Sequence, residues 1–187
     1  MTEANLQELI LLITPRRFGD HRGFFAQTDS LCRYAEMGID VEFVQDNHSL
    51  LWDLSTLRGL HFQAPPHVQD NLIRCGCGGF FDVAVDIGRG SPTYGQWVGS
   101  KLLAENGHQF CVPRDFIYGF VTLEPDSEII YKCSNYYAPE TERALRWDGP
   151  GIGIKWPLTG NPILSEKDAI SPLLNDFESP FIYGENS

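Results

Sequence analysis

Eight short apolar stretches run through the middle of the chain, and almost nothing between them has a helical period. They cover residues 41–45, 56–62, 72–75, 80–87, 96–103, 109–112, 116–123 and 128–136. Clusters such as Ala64-Pro-Pro66, Gly88-Arg-Gly-Ser-Pro92 and Glu124-Pro-Asp126 separate them. These are turn residues, each able to end a strand by fixing φ or by freeing it. Many short strands at near-regular spacing define an all-β chain, an antiparallel sandwich or barrel.

The flanks add little helix. Residues 6–13 read as a further strand, which Pro15-Arg-Arg17 and Gly19-Asp20 break; His21-Arg-Gly-Phe-Phe25 is a polar turn running into an aromatic strand. Residues 29–37 predict one short helix, with Thr28 or Asp29 as its cap and Gly38 as its terminator. Ser165, three residues before Asp168 and just ahead of Ala169 and Ile170, predicts a second. Trp147-Asp-Gly-Pro150 and Lys155-Trp-Pro157 read as loops. The tail after Pro180 is expected to be mobile or packed on a neighbour.

A length of 187 residues suits one domain with a substantial core. The net charge of −11 argues against a nucleic-acid or anionic-membrane partner, both of which attract Lys and Arg patches. Anionic small molecules remain compatible where a few arginines gather. Five cysteines form an odd set without a disulfide spacing, and no basic segment followed by an apolar one opens the chain, so a cytoplasmic protein with free thiols is expected. Cys75-Gly-Cys77 has no second pair at zinc spacing, and both thiols are expected to be buried as small hydrophobes.

The stretch that asks for an explanation is Thr56-Leu-Arg-Gly-Leu-His-Phe-Gln63. Burying an ionisable group in such a run costs several kcal/mol unless it is paired. Taken alone, His61 is explained as a hydrogen-bonded core or rim histidine. Yet polar groups recur on other apolar strands: Gln45 and Asn47 share a face, and Tyr131 shares one with Ile129 and Cys133, opposite Lys132. Arg58 and His61 have opposite parity, so strict pleating would send one of them outward; a bulge near Gly59 would bring them together. A neutral imidazole suits proton removal, a buried phenol suits proton return, and arginines suit a pyrophosphate. Phe25 or another aromatic could stack on a base. As a set these residues suggest proton transfer on a nucleotide-linked substrate.

Several ordered motifs carry a resemblance: Asp20-His-Arg-Gly-Phe-Phe25, Phe43-Val-Gln-Asp-Asn47, Leu57-Arg-Gly-Leu-His-Phe-Gln63, Asp82-Val-Ala-Val-Asp-Ile87, Gly90-Ser-Pro-Thr93, Tyr131-Lys-Cys133 with Tyr136-Tyr137, and Leu164-Ser-Glu-Lys-Asp168. Over roughly residues 10–174 the chain resembles the dTDP-4-dehydrorhamnose 3,5-epimerase family of nucleotide-sugar enzymes. The resemblance implies a cupin fold, that is a double-stranded β-helix or jelly-roll with a few short helices, which dimerises. It implies His61 with Asp168 as the base and Tyr131 as the acid on the other side of the sugar. This overrides the helix cap as the whole explanation of Asp168. Arg22, Phe25, Gln45, Asn47, Arg58, Glu142 and Lys167 are implied to hold the nucleotide and phosphates, with Arg22 and Phe25 reaching across from a second subunit. The metal-binding cupin spacing of HxH, Glu and a later His is missing, so no metal and no cofactor are expected.

The chain departs from that pattern where the ketone oxygen of the substrate would sit. Asn71 replaces the family's usual lysine, Tyr118 and Asp115 stand where histidine and glycine are usual, and Gln27 stands for a glutamate. Three readings stay open: a 3,5-epimerase, a single-centre epimerase on another keto sugar, and a sugar-nucleotide binder that has lost turnover. A metal-dependent cupin is the contrasting class.

Overall fold

Residues 80–86 form a strand because both faces of it are covered, and the same is true of most of the apolar stretches. The computed structural model describes residues 10–184. In chain order these contain β1 (Leu11–Ile13), β2 (Arg17–Asp20), β3 (Gly23–Ala26), α1 (Leu31–Glu36), β4 (Gln45–Leu51), β5 (Leu57–Gln63) and β6 (Asn71–Cys77). There follow β7 (Gly79–Asp86), β8 (Trp97–Leu103), β9 (Gln109–Val112), β10 (Phe116–Thr122), β11 (Ser127–Cys133), β12 (Glu142–Ala144) and α2 (Glu166–Ile170). Two five-stranded antiparallel sheets result, ordered β1-β9-β6-β11-β4 and β12-β5-β10-β7-β8, and β2 with β3 makes a separate hairpin. This is the cupin jelly-roll.

Between the two sheets lie Ile73, Phe80, Phe110, Phe116, Phe120 and Ile129. Each fully buried aromatic or aliphatic side chain contributes about 1.5–3 kcal/mol. A second cluster covers the outer face of the β5-β10-β7 sheet: Leu60, Val83, Val85 and Ile117 meet Leu145, Ile152 and Leu174 from the C-terminal part. A third puts Tyr34 of α1 and Ile39 against Leu72 and Cys111. Strands covered on both faces read as near-continuous apolar runs, which is why β5, β7, β9 and β10 agree with the expected stretches within one residue.

Four expectations are corrected. Residues 41–44 are not a strand: β11 ends at Cys133, opposite Gln45, so nothing remains to pair with them beyond the Val44 N–H bond to the Cys133 carbonyl at 2.9 Å. Val41 and Phe43 pack instead against the α1 cluster. Helix α1 is shorter than 29–37 and starts after Ser30, whose side chain makes no capping bond. Cys77 is exposed rather than buried, although Cys75 is buried and all five thiols are free. The described part of the tail, residues 181–184, is anchored to the same chain, since Phe181 is 1% exposed and meets Phe62 in a tilted contact with ring centroids 5.5 Å apart. The expected strand over residues 6–13 is described only from Ile10 onward, with β1 inside it; its earlier part lies outside the described residues.

Local geometry on β5 settles the parity conflict. Tyr118 and Phe120 are two apart on β10, but their partners His61 and Arg58 are three apart on β5. The extra residue is a bulge at Gly59, which holds φ at +128°. A Cβ at Gly59 would come within 2.6 Å of the Gly119 Cα, so the two strands touch backbone to backbone. Beyond the bulge the side-chain alternation resets, and Arg58 and His61 both face the interior cavity.

Candidate active site

The open end of the barrel holds two adjoining cavities of about 310 Å³ and 240 Å³. His61, Tyr118, Tyr131 and Glu142 line both. The larger is also lined by Gln45, Asn47, Gln69 and Asn71, and the smaller by Arg58 and Ser49. Polar side chains face inward here because β4, an edge strand paired only with β11, turns Gln45, Asn47 and Ser49 toward the cavity and Asp46, His48 and Leu50 outward.

His61 and Tyr131 come from different sheets. His61 sits on β5 between Tyr118 of β10 and Ala144 of β12, whereas Tyr131 sits on β11 between Asn47 and Ile73. They therefore meet the same cavity from opposite walls. His61 Nε2 lies 2.6 Å from Asp168 Oδ1, across 107 residues of sequence. The second carboxylate oxygen of Asp168 accepts from the Ser165 hydroxyl at 2.8 Å, and the Asp168 N–H donates to Ser165 Oγ at 3.2 Å. The helix cap and the histidine pair thus coexist in one residue.

Burial works against charge on Asp168, which is 1% exposed, but the hydrogen bonds from His61 and Ser165 prevail and hold its carboxyl below the usual range. A carboxylate beside the imidazole fixes the tautomer with Nε2–H toward Asp168 and leaves the Nδ1 lone pair as a base. Tyr131 keeps its proton: burial first, then the nearby Cys133, push the phenol up, while Arg58 pulls in the other direction. Tyr118 is pushed up further by burial and by the neighbouring Tyr131. A base of this kind facing two protonated phenols can take a proton from one face of a ligand and return one to the other.

Around this centre, Glu142 is tied to Lys167 at 2.5 Å and accepts from the Tyr137 hydroxyl at 3.1 Å. Burial opposes its charge, but Lys167 outweighs it and keeps the carboxyl low. Asn71 is buried; its Nδ2 donates to the Gln69 carbonyl at 3.3 Å and its Oδ1 accepts from the Cys133 thiol at 3.3 Å. Asp115 lies outside both cavity walls, and its carboxyl is raised by burial.

Of the expected site residues, Asp168 and Lys167 do not line the cavity but reach it through His61 and Glu142, and three more stand apart from it within one chain. Arg22 pairs with Asp20 of its own hairpin, and Phe25 is 69% exposed on β3. Gln27 lines a separate cavity with Arg33 and Tyr34. Gln69 and Tyr137 line the larger cavity without having been expected there, while Ser165, expected as the helix-cap partner of Asp168, does brace it. Gln69 was legible as a polar residue next to the His61 stretch, whereas Tyr137 depends on the turn into β12, a three-residue strand without pattern.

The fold and the cavity together define a cupin whose cavity holds a histidine–carboxylate pair opposite a tyrosine. A family model described as dTDP-4-dehydrorhamnose 3,5-epimerase matches residues 3–176. The dTDP-4-dehydrorhamnose 3,5-epimerase of Sinorhizobium fredii is 47% identical over 93% of this chain and 89% of its own length. That of Salmonella typhimurium is 48% identical over 89% and 91%. The crystal structure of dTDP-6-deoxy-D-glucose-3,5-epimerase from Legionella pneumophila in complex with dTDP-4-keto-L-rhamnose superposes with a TM-score of 0.91 at 41% identity, covering 98% of this chain and 97% of that one. The chain belongs to the dTDP-4-dehydrorhamnose 3,5-epimerase family.

Proposed function

We propose that this chain epimerises a dTDP-linked 4-keto-6-deoxy sugar at C3 and C5, with His61 and Asp168 as the base and Tyr131 as the acid. The observation that carries this reading is the 2.6 Å His61–Asp168 pair on one wall of the cavity with the protonated Tyr131 on the other. Each of these carbons lies next to the C4 ketone. The C–H bond breaks, its proton goes to His61 Nδ1, and the electron pair becomes an enolate on O4. Tyr131 Oη then gives its proton to the opposite face of the carbon, re-forming the ketone, and solvent restores both side chains. General base action of this kind is worth about 10²–10⁴ in rate.

The donors available to O4 are the Asn71 amide and the Tyr118 hydroxyl, both lining the larger cavity. They bring hydrogen bonds but no positive charge. Cations nearby, Arg58 and Lys167, suit the pyrophosphate, and Gln45, Asn47 and Glu142 line the nucleotide side. Arg22 and Phe25 would act from a second subunit, because their hairpin projects from its own chain; we place them in a homodimer on that ground. Free thiols suit a reducing compartment, so the reaction is placed in the cytoplasm.

The test is incubation with dTDP-4-keto-6-deoxyglucose in heavy water, followed at C3 and C5 by NMR. Deuterium at both carbons is expected. Deuterium at one carbon alone would support single-centre epimerisation, the reading favoured by the uncharged Asn71 and Tyr118; tight binding without any exchange would leave a sugar-nucleotide binder. In a second measurement, Tyr131→Phe should keep deuterium entering from the His61 side while inverted product falls about a hundredfold. Equal loss of exchange and inversion would count against Tyr131 as the acid.

A further inference from the structure

Cys133 is the last residue of β11, with Gln45 of β4 opposite it on one side and Asn71 of β6 on the other. It is 1% exposed and lines the larger cavity together with Gln45, Asn47 and Asn71. The reaction proposed above uses no thiol. A buried cysteine ordinarily serves as a small hydrophobe, but this one has a hydrogen-bonding neighbour on each side.

A continuous chain of hydrogen bonds passes through the sulfur. The Tyr137 N–H donates to Gln45 Oε1 at 3.1 Å, and Gln45 Nε2 donates to Asn47 Oδ1 at 3.1 Å. Asn47 Nδ2 then donates to Cys133 Sγ at 3.4 Å, the thiol donates to Asn71 Oδ1 at 3.3 Å, and Asn71 Nδ2 donates to the Gln69 carbonyl at 3.3 Å. Both ends are backbone groups that work in one sense, since an N–H only donates and a C=O only accepts. Followed inward from Tyr137, each amide must turn its oxygen back and its nitrogen forward, so the sulfur receives an N–H and its own hydrogen is left for Asn71. Followed inward from Gln69, the Asn71 nitrogen faces the carbonyl and its oxygen faces the thiol, which gives the same direction. Burial pushes the thiol up to about 11, against the bond from Asn47 that lowers it, so the sulfur keeps the hydrogen that the chain requires.

Each amide nitrogen carries two hydrogens and spends one of them in the chain, leaving one N–H on Asn71 for a ligand oxygen. Gln69 alone would hold that amide at one end and let its plane swivel about the Cβ–Cγ bond. We propose that Cys133 is a positioning residue whose thiol clamps Asn71 Oδ1 and so fixes the plane in which the second Asn71 N–H meets the ketone oxygen of the ligand. The thiol thus acts through Asn71 and does not itself touch the reacting atoms. The kinetic part of this inference rests on the epimerase reading; the hydrogen-bond part does not.

Infrared difference spectra of the whole protein in the S–H stretching region, wild type against Cys133→Ser, isolate this thiol from the other four. Its band should lie at the lowered frequency of a donating thiol. The same difference taken in an Asn71→Leu background, where the acceptor is gone, should show it at the frequency of a thiol that donates to nothing. A missing band, a wild-type band at the non-donating frequency, or one unmoved by Asn71→Leu overturns the proposal whether or not the protein turns over any sugar. The first comparison needs only the serine variant, so it decides even where the leucine variant fails to fold.

For turnover, Cys133→Ala should lower kcat for solvent exchange about tenfold, and Cys133→Ser, which keeps both a donor and an acceptor, should recover it to within about threefold of wild type. Alanine and serine are close in size, so a thiol that only filled space would give equal losses in the two variants, and that result would sink the clamp. With Asn71→Leu already present, Cys133→Ala should lower kcat no further; losses that multiply would mean that Cys133 does not act through Asn71. The readout is kcat because Asn47 lines the nucleotide side, where a disturbance shows in KM. If wild type shows no exchange, the epimerase reading fails while the infrared result still decides whether the thiol holds Asn71.

Discussion

Replacing His61 with asparagine is expected to lower kcat for solvent exchange about a thousandfold, with KM within a few-fold of wild type. A thousandfold corresponds to about 4 kcal/mol of transition-state stabilisation, inside the range for a positioned general base. The amide offers no basic lone pair at the position of Nδ1, so the loss falls on the step that breaks the C–H bond. Binding is expected to change little because Arg58 and Lys167, the groups proposed for the pyrophosphate, are untouched. The Asp168 carboxylate keeps the Ser165 hydroxyl at 2.8 Å, so the fold persists with a cost of about 1–3 kcal/mol for the lost partner. Stopped deuterium wash-in with an intact melting transition is the signature. Exchange within tenfold of wild type would remove His61 from the reaction.

Gly59→Ala is expected to damage stability and chemistry together. The φ of +128° excludes most side chains, and the new methyl would sit 2.6 Å from the Gly119 Cα, backbone that cannot swing aside. Strain and overpacking together should cost about 3 kcal/mol, a fall of about 10 °C in melting temperature for a chain of this size. Turnover should also fall about a hundredfold, because small misplacements of reacting groups carry such losses and the bulge is what lets Arg58 and His61 share a cavity. Gly90→Ala is the control: it also has a positive φ, +82°, but meets nothing within 4 Å, so only about 1 kcal/mol should be lost, with turnover retained. Equal effects at the two glycines would mean that backbone preference, not the contact between β5 and β10, is what matters.

Sequence and structure agree where burial on both faces makes a strand legible. Residues 109–112 form β9 as expected, and the edges of β5, β7 and β10 shift by a single residue. Legibility failed where a strand faces a polar cavity. Asp46-Asn-His-Ser49 lacks apolar alternation because its inward positions line the site, so β4 was displaced toward the apolar residues before it. Site residues were legible in proportion to how odd they were for their surroundings: Arg58 and His61 in an apolar run pointed inward, and the parity argument named the bulge that unites them. Asp168 was the opposite case, since its local role as a helix-cap partner is complete in itself and hides a partner 107 positions away. Asp82 stood in the sequence only as part of the Asp82-Val-Ala-Val-Asp-Ile87 motif, and only the finished barrel shows that one of its buried oxygens has no partner.

The His61–Asp168 pair is assembled from two distant parts of the chain, an imidazole on β5 and a carboxylate delivered by α2. During synthesis the imidazole leaves the ribosome long before its counterpart, and until residues 165–168 arrive it is an ordinary histidine in an unfinished wall. The pairing is thereby deferred to the final stage of synthesis: a chain interrupted ahead of α2 carries the cavity's phenols and amides but not the carboxylate that His61 meets.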